Sequence, residues 1–142
     1  MLARRELSEA QVRQRLARKG HEAEAIDTAV ARLLAERAID DRRVADAIAR
    51  TQTAVRRRGK LRVRRQIESA GITGTTARRA VDEVFEGLDP DALLQASLAR
   101  RLRGRETIAD DKAFARLYRY LIGQGFESDQ VLRALTARKL SE

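Results

Sequence analysis

Cysteine and tryptophan are absent from this chain of 142 residues, and proline and methionine occur once each. Without cysteine there is no disulfide framework and no thiolate metal site. A single proline, Pro90, leaves the backbone free to run as helix almost throughout. With only three Phe and two Tyr, a core has to be built from Leu, Ile, Val and Ala. No apolar run approaches the ~20 residues needed to cross a bilayer. The N-terminus, Met1 to Ser8, has no signal-peptide apolar region, so a soluble, cytoplasmic protein is expected. Catalytic chemistry is equally short of parts. The single histidine, His21, stands beside Gly20 in a turn with no second ligand type near it, and the serines fall at helix caps with no histidine partner. No glycine-rich phosphate loop occurs, so ATP binding has no residue basis. The expectation is a protein that is not an enzyme and carries no metal and no cofactor.

What is abundant is positive charge and helix-forming residues. Lys and Arg number 30 against 21 Asp and Glu, a formal net charge of +9. Such a balance favours polyanionic partners. The charge is densest between Asp46 and Glu68, where no acid interrupts Arg50, Arg56, Arg57, Arg58, Lys60, Arg62, Arg64 and Arg65. A second basic cluster, Arg100, Arg101, Arg103 and Arg105, surrounds Gly104.

Helical periodicity divides the chain into eight segments. Ser8 with Gln11 forms a capping-box pattern that opens the first, with Val12 and Leu16 as its buried pair. The second runs from about Glu22 to Arg37 with the stripe Ile26, Val30, Leu33 and Leu34. Asp40 or Asp41 caps the third, whose stripe is Val44, Ile48, Thr51 and Val55. The fourth, Lys60 to Ala70, carries Val63, Ile67 and Ala70 on one face and its basic residues around the rest. The fifth follows Thr73–Thr76 and carries Ala77, Val81, Val84, Phe85 and Leu88. Asp89-Pro90 starts the sixth, with Leu94, Leu98 and Leu102 inside. Asp110 or Asp111 opens the seventh, with Phe114, Leu117, Tyr118, Leu121 and Ile122 on its apolar face. Ser128 is expected to cap the eighth, with Val131, Leu132 and Leu135 inside.

One template recurs three times: an apolar residue, another four later, and glycine four later again. The copies are Val12, Leu16, Gly20; Val63, Ile67, Gly71; and Leu117, Leu121, Gly125. Physically this is a helix, a left-handed turn and a second helix packed as a pair. Helices three and six each precede such a pair. The fold expected is all-α, with tandem three-helix repeats stacked into an elongated, curved right-handed or solenoid-like array. The repeats would span residues 1–39, 40–88 and 89–142, the first incomplete unless Leu2 to Leu7 supply a stub.

Three stretches resemble the RecX proteins, regulators of the RecA recombinase. Ile39-Asp40-Asp41-Arg42-Arg43-Val44-Ala45 is similar to the family's Leu-Asp-Asp helix opening. Gly59 with Arg62-Val63-Arg64, Ile67 and Ala70-Gly71-Ile72 is similar to a second family stretch. Tyr118 to Phe126 resembles the family's C-terminal ending. The resemblance covers nearly the whole chain. Departures are Val44 in place of the usual aromatic, and Gln52 where arginine is common.

The resemblance implies binding to RecA and to the RecA–DNA filament, with suppression of filament growth and ATP-dependent activity. Weak direct contact with single- or double-stranded DNA, no membrane partner and a monomer are also expected. The residues expected to carry this are Arg56, Arg57, Arg58, Lys60, Arg62, Arg64 and Arg65, then Arg100, Arg101, Arg103 and Arg105. Tyr120 is a weaker candidate for an exposed contact. The alternative is a helix-turn-helix-like protein binding DNA directly, around Gly71; no second helix there clusters base-reading residues at its N-terminus. The pair Asp40 and Asp41 reads as helix-capping rather than as an acid–base or metal pair.

Overall fold

The computed structural model describes residues 6–139. A stub from Leu2 to Leu7 therefore falls mostly outside the described residues. Among them the structure is helical: α1 (Glu9–Arg18), α2 (Ala23–Ala35), α3 (Asp41–Arg50), α4 (Lys60–Ser69), α5 (Gly74–Glu86), α6 (Pro90–Leu102), α7 (Asp111–Gly123) and α8 (Ser128–Thr136). One isolated bridge, Ile108 to Lys139, ties the turn before α7 to the end of α8.

The starts follow from local chemistry. Ser8 and Gln11 form the reciprocal capping box. Asp40, Thr73, Asp89 and Asp110 each accept backbone N–H bonds at the starts of α3, α5, α6 and α7. Of the acidic pair, Asp40 is the cap; Asp41 instead accepts the backbone N–H of Glu9 at 2.8 Å, tying α1 to α3. The eighth helix departs from expectation: Glu127 holds the cap position without a side-chain bond, and Ser128 is already helical.

Three apolar clusters form. Ile26, Val30 and Ile39 make the smallest, against Val12, Leu16 and Leu33. Val44, Ala45, Ala49, Val63, Ile67, Val81 and Phe85 are among the second. Leu94, Leu98, Leu102, Leu117, Leu121, Val131 and Leu135 are among the third. Several expected core residues are displaced from these clusters. Leu34, Leu88 and Leu132 are exposed, each lying at the edge of its stripe or past its helix end. Val12 and Leu16 are only partly buried.

Val55 is the instructive exception. The α-helical stripe of α3 places it inside, yet it is 64% exposed. After Arg50 the backbone widens into a π-helical turn, Thr51–Val55. Thr53 turns inward instead, and its hydroxyl donates to the Ala49 carbonyl at 2.8 Å. A π turn carries more residues per revolution, so the positions after it rotate away from the stripe. Threonine can fill the inward place because its hydroxyl finds a backbone acceptor there.

Two joints connect the clusters, and both use the template glycines. Gly59 starts α4 and supplies no capping side chain. Its N–H donates to the Gln124 carbonyl at 2.8 Å, and the N–H of Leu61 donates to the Gly125 carbonyl at 3.2 Å. The unpaired N–H groups at the start of α4 thus meet carbonyls of the turn after α7, satisfying both ends at once. A side chain at Gly59 would put its Cβ 2.5 Å from the Gly125 carbonyl carbon. Gly125 has φ +99 and faces the Arg62 backbone, so its glycine is required twice over. The other joint repeats this design: the Ser8 hydroxyl donates to the carbonyl of Ala70, and Ala10 lies against Gly71. Ser8 and Gly59 each lie twelve residues before a template glycine, Gly20 and Gly71.

Candidate functional site

The Gly59–Gly125 joint decides where the basic residues go. At 100° per residue, α4 buries Val63, Ile67 and Ala70 and puts Lys60 and Arg64 on one flank, Arg62 on the other and Arg65 outward. Lys60 Nζ lies 5.5 Å above the buried Phe85 ring. Arg64 pairs with Glu68 one turn on, at 2.8 Å. Arg65 reaches back to the Leu61 carbonyl at 3.4 Å. Arg62 crosses the joint and donates to the Gly123 carbonyl at 3.0 Å. That carbonyl belongs to the negative end of the α7 dipole, a favourable place for a guanidinium.

The three consecutive arginines do not share a face. Arg56 ends the π turn and is exposed. Arg57 has φ +53, and its carbonyl accepts the Ser97 hydroxyl of α6 at 2.8 Å. Arg58 is half-buried and donates to Gln52 Oε1 at 2.7 Å. Its pKa is lowered, first by burial, then by repulsion from Arg62 and Arg56, with the Tyr120 phenol opposing. A guanidinium remains charged regardless.

Tyr120 packs against the third apolar cluster, and the Arg101 guanidinium sits 4.7 Å above its ring. It lies near enough to Arg58 to act on that guanidinium electrostatically. Arg116, one turn earlier on α7, lines the cleft between α6 and α7 with Arg101, Arg103 and Arg105. The result is a basic track along α7, from the cleft at Arg116 past Tyr120 to Arg62 at its C-terminal end. Arg100 does not line that cleft.

Few arginines among the described residues are ion-paired, whether inside the candidate set or outside it. Arg13, Arg32, Arg42, Arg43 and Arg79 each hold a carboxylate. Of the eleven candidate residues, Arg64 alone does so among the described residues. Sequence reasoning missed Arg116, although its i, i+4 relation to Tyr120 was open to reading. His21 is exposed, and no group of acids and histidines among the described residues could hold a metal ion. No described helix is long and apolar enough to cross a membrane.

Comparison with known proteins agrees on one family. Residues 1–33 match the family model described as RecX, first three-helix domain. The regulatory protein RecX of Halorhodospira halophila is 32% identical over 138 residues, covering 96% of this chain and 83% of its own length. The regulatory protein RecX of Thermus thermophilus is 37% identical over 136 residues, covering 94% of this chain and 84% of its own. A crystal structure of a regulatory protein RecX superimposes with a TM-score of 0.74 at 19% identity, covering 92% of this chain; this chain spans 64% of the crystallised one. The fold is thus the all-α helical-repeat fold of those proteins, and by the extent of its identity to the two relatives this chain belongs to the RecX family.

Proposed function

We propose that this protein binds the RecA recombinase and its nucleoprotein filament and restrains filament growth, ATP hydrolysis and strand exchange during DNA repair and recombination. The observation that carries this reading is the near full-length identity to regulatory proteins named RecX. The basic track supports it. Its guanidinium groups have no carboxylate partner among the described residues. Unpaired cations held close together repel one another, and a polyanion relieves that repulsion. The protein acts by binding rather than by catalysis, as a monomer in the cytoplasm. Three repeats, 1–39, 40–88 and 89–142, give it length; the three apolar clusters support that division. The two glycine joints hold the repeats in register.

The test is co-sedimentation with a recombinase filament and, separately, with bare single-stranded DNA. Binding to the filament is expected to be much tighter and to weaken when Arg56, Arg58 and Arg62 become Gln. Equal affinity for the filament and for bare DNA would favour a DNA-binding protein that acts without a recombinase.

A further inference from the structure

Where the π turn after α3 meets the end of α5 and the start of α6, an apolar groove of about 520 Å³ lies open to solvent. Val84 and Leu93 line it and are half-buried. Leu88 lines it too and is 39% exposed. Ala54, Gly87, Ala92 and Ala96 add nothing larger than a methyl group, so the groove stays unfilled. A Cβ added at Gly87 would meet no atom within 4 Å.

The π turn builds one wall of this groove. It brings Thr53 and Ala54 to the lining, and the Thr53 hydroxyl is committed to the Ala49 carbonyl. Val55, next to Ala54, is exposed, and no internal packing accounts for an apolar side chain there. Wider turns of this kind interrupt a helix and occur often where a surface is used. Two cations, Arg50 and Arg57, complete the lining, and neither has a carboxylate partner among the described residues. Arg57 is held in place by its left-handed backbone and by the Ser97 hydroxyl on its carbonyl. The one acid in the lining, Asp89, is occupied in capping α6, where it accepts the Asp91 N–H at 3.0 Å.

We propose that this groove is a docking surface for a short acidic helix of a protein partner, seating one bulky apolar side chain. A helix laid in a groove offers such an anchor, and a desolvated anchor carries most of the affinity. Carboxylates beside the anchor would meet Arg50 and Arg57, whose planar guanidinium groups match them in pairs. No aromatic ring lines the groove, so a nucleic acid base has nothing to stack on. A net charge of +9 opposes a second copy of this chain as the occupant. Of the eleven candidate basic residues only Arg57 lines the groove, and the inference goes beyond the recombinase reading and stands without it.

The test uses the whole protein and a fluorescein-labelled, alanine-based peptide of about 16 residues, just past the length at which an isolated helix holds in water. The peptide carries one central Phe with Glu one turn to either side. Two control peptides replace the Phe with Ala, or each Glu with Lys. Binding is read by fluorescence anisotropy. The parent protein is expected to bind the acidic Phe peptide about tenfold more tightly than either control, the scale of one buried anchor. Ala92→Glu then places a carboxylate in the groove. Ala92 is exposed and is the third residue of α6, where a carboxylate suits the helix start, and thermal melting establishes that the variant folds. It is expected to lose the same factor. Ala31→Glu adds the same charge at an exposed position of α2 and is expected to bind as the parent does. So is the variant with Gln at Arg56, Arg58 and Arg62.

Equal binding of the Phe and Ala peptides would overturn the apolar seat, and equal binding of the Lys peptide would overturn the acidic partner. Equal loss in Ala92→Glu and Ala31→Glu would reduce the effect to net charge. A matching loss in the triple-Gln variant would put the peptide on the basic track and overturn the groove. Self-association of the parent in sedimentation velocity, abolished by Ala92→Glu, would make a second copy the occupant and overturn the partner. No recombinase enters these measurements, so the proposed function is judged separately.

Discussion

Replacing Gly59 with Ala tests the joint that brings the basic clusters together. The added Cβ would lie 2.5 Å from the carbonyl carbon and oxygen of Gly125 and 2.7 Å from the Phe126 nitrogen. All three are backbone atoms, so no side chain can swing aside. The start of α4 must withdraw from the turn after α7. Withdrawal breaks two backbone hydrogen bonds, Gly59 to Gln124 at 2.8 Å and Leu61 to Gly125 at 3.2 Å. Each is worth about 0.5–1.5 kcal/mol net, and more where a partner is left dry, which gives a loss of roughly 2–4 kcal/mol. The assay is urea unfolding followed by far-UV circular dichroism. Gly87→Ala is the control: Gly87 has φ −91 and open space where a Cβ would go. That change is expected to stabilise by about 0.4–1 kcal/mol through the unfolded chain. A Gly59→Ala protein that unfolds at the parent's urea concentration would refute the account of the joint.

Two further substitutions probe the core and the π turn. Ile67 is fully buried, and Ile67→Ala is expected to cost about 2–5 kcal/mol in the same unfolding experiment. Val55→Ser is expected to change stability by less than about 0.5 kcal/mol, as for an ordinary surface site; a loss near that of a core valine would mean that α3 continues without the wider turn.

Most elements were legible in the sequence because the starts of α1, α3, α5, α6 and α7 are written locally. The capping box at Ser8, the acid–proline pair at Asp89 and the left-handed glycines act within a few residues of themselves. The cores of α4 and α6 were legible for the same reason, their apolar spacing being unbroken. Val55 was misplaced because the α-helical period was carried through Thr51–Val55, where the backbone widens. Whether a threonine hydroxyl will turn back onto Ala49 is settled by packing around it. The basic residues were legible as a group, not as a surface. Nothing local to Arg101 says that it lies over Tyr120; that follows from α6 packing on α7, and the reach of α4 to α7 follows from Gly59 docking on Gly125, a joint between residues far apart in the chain. Arg62 read as a solvent-facing cation, and the structure has it reaching across that joint to Gly123.

The measurement that bears most directly on the central claim is ATP hydrolysis by the cognate RecA recombinase on single-stranded DNA, titrated with this protein. Hydrolysis is expected to fall with added protein to a plateau, and the variant with Gln at Arg56, Arg58 and Arg62 is expected to need several-fold more protein for the same effect. An unchanged rate at saturating protein, or equal inhibition by parent and variant, would contradict the account.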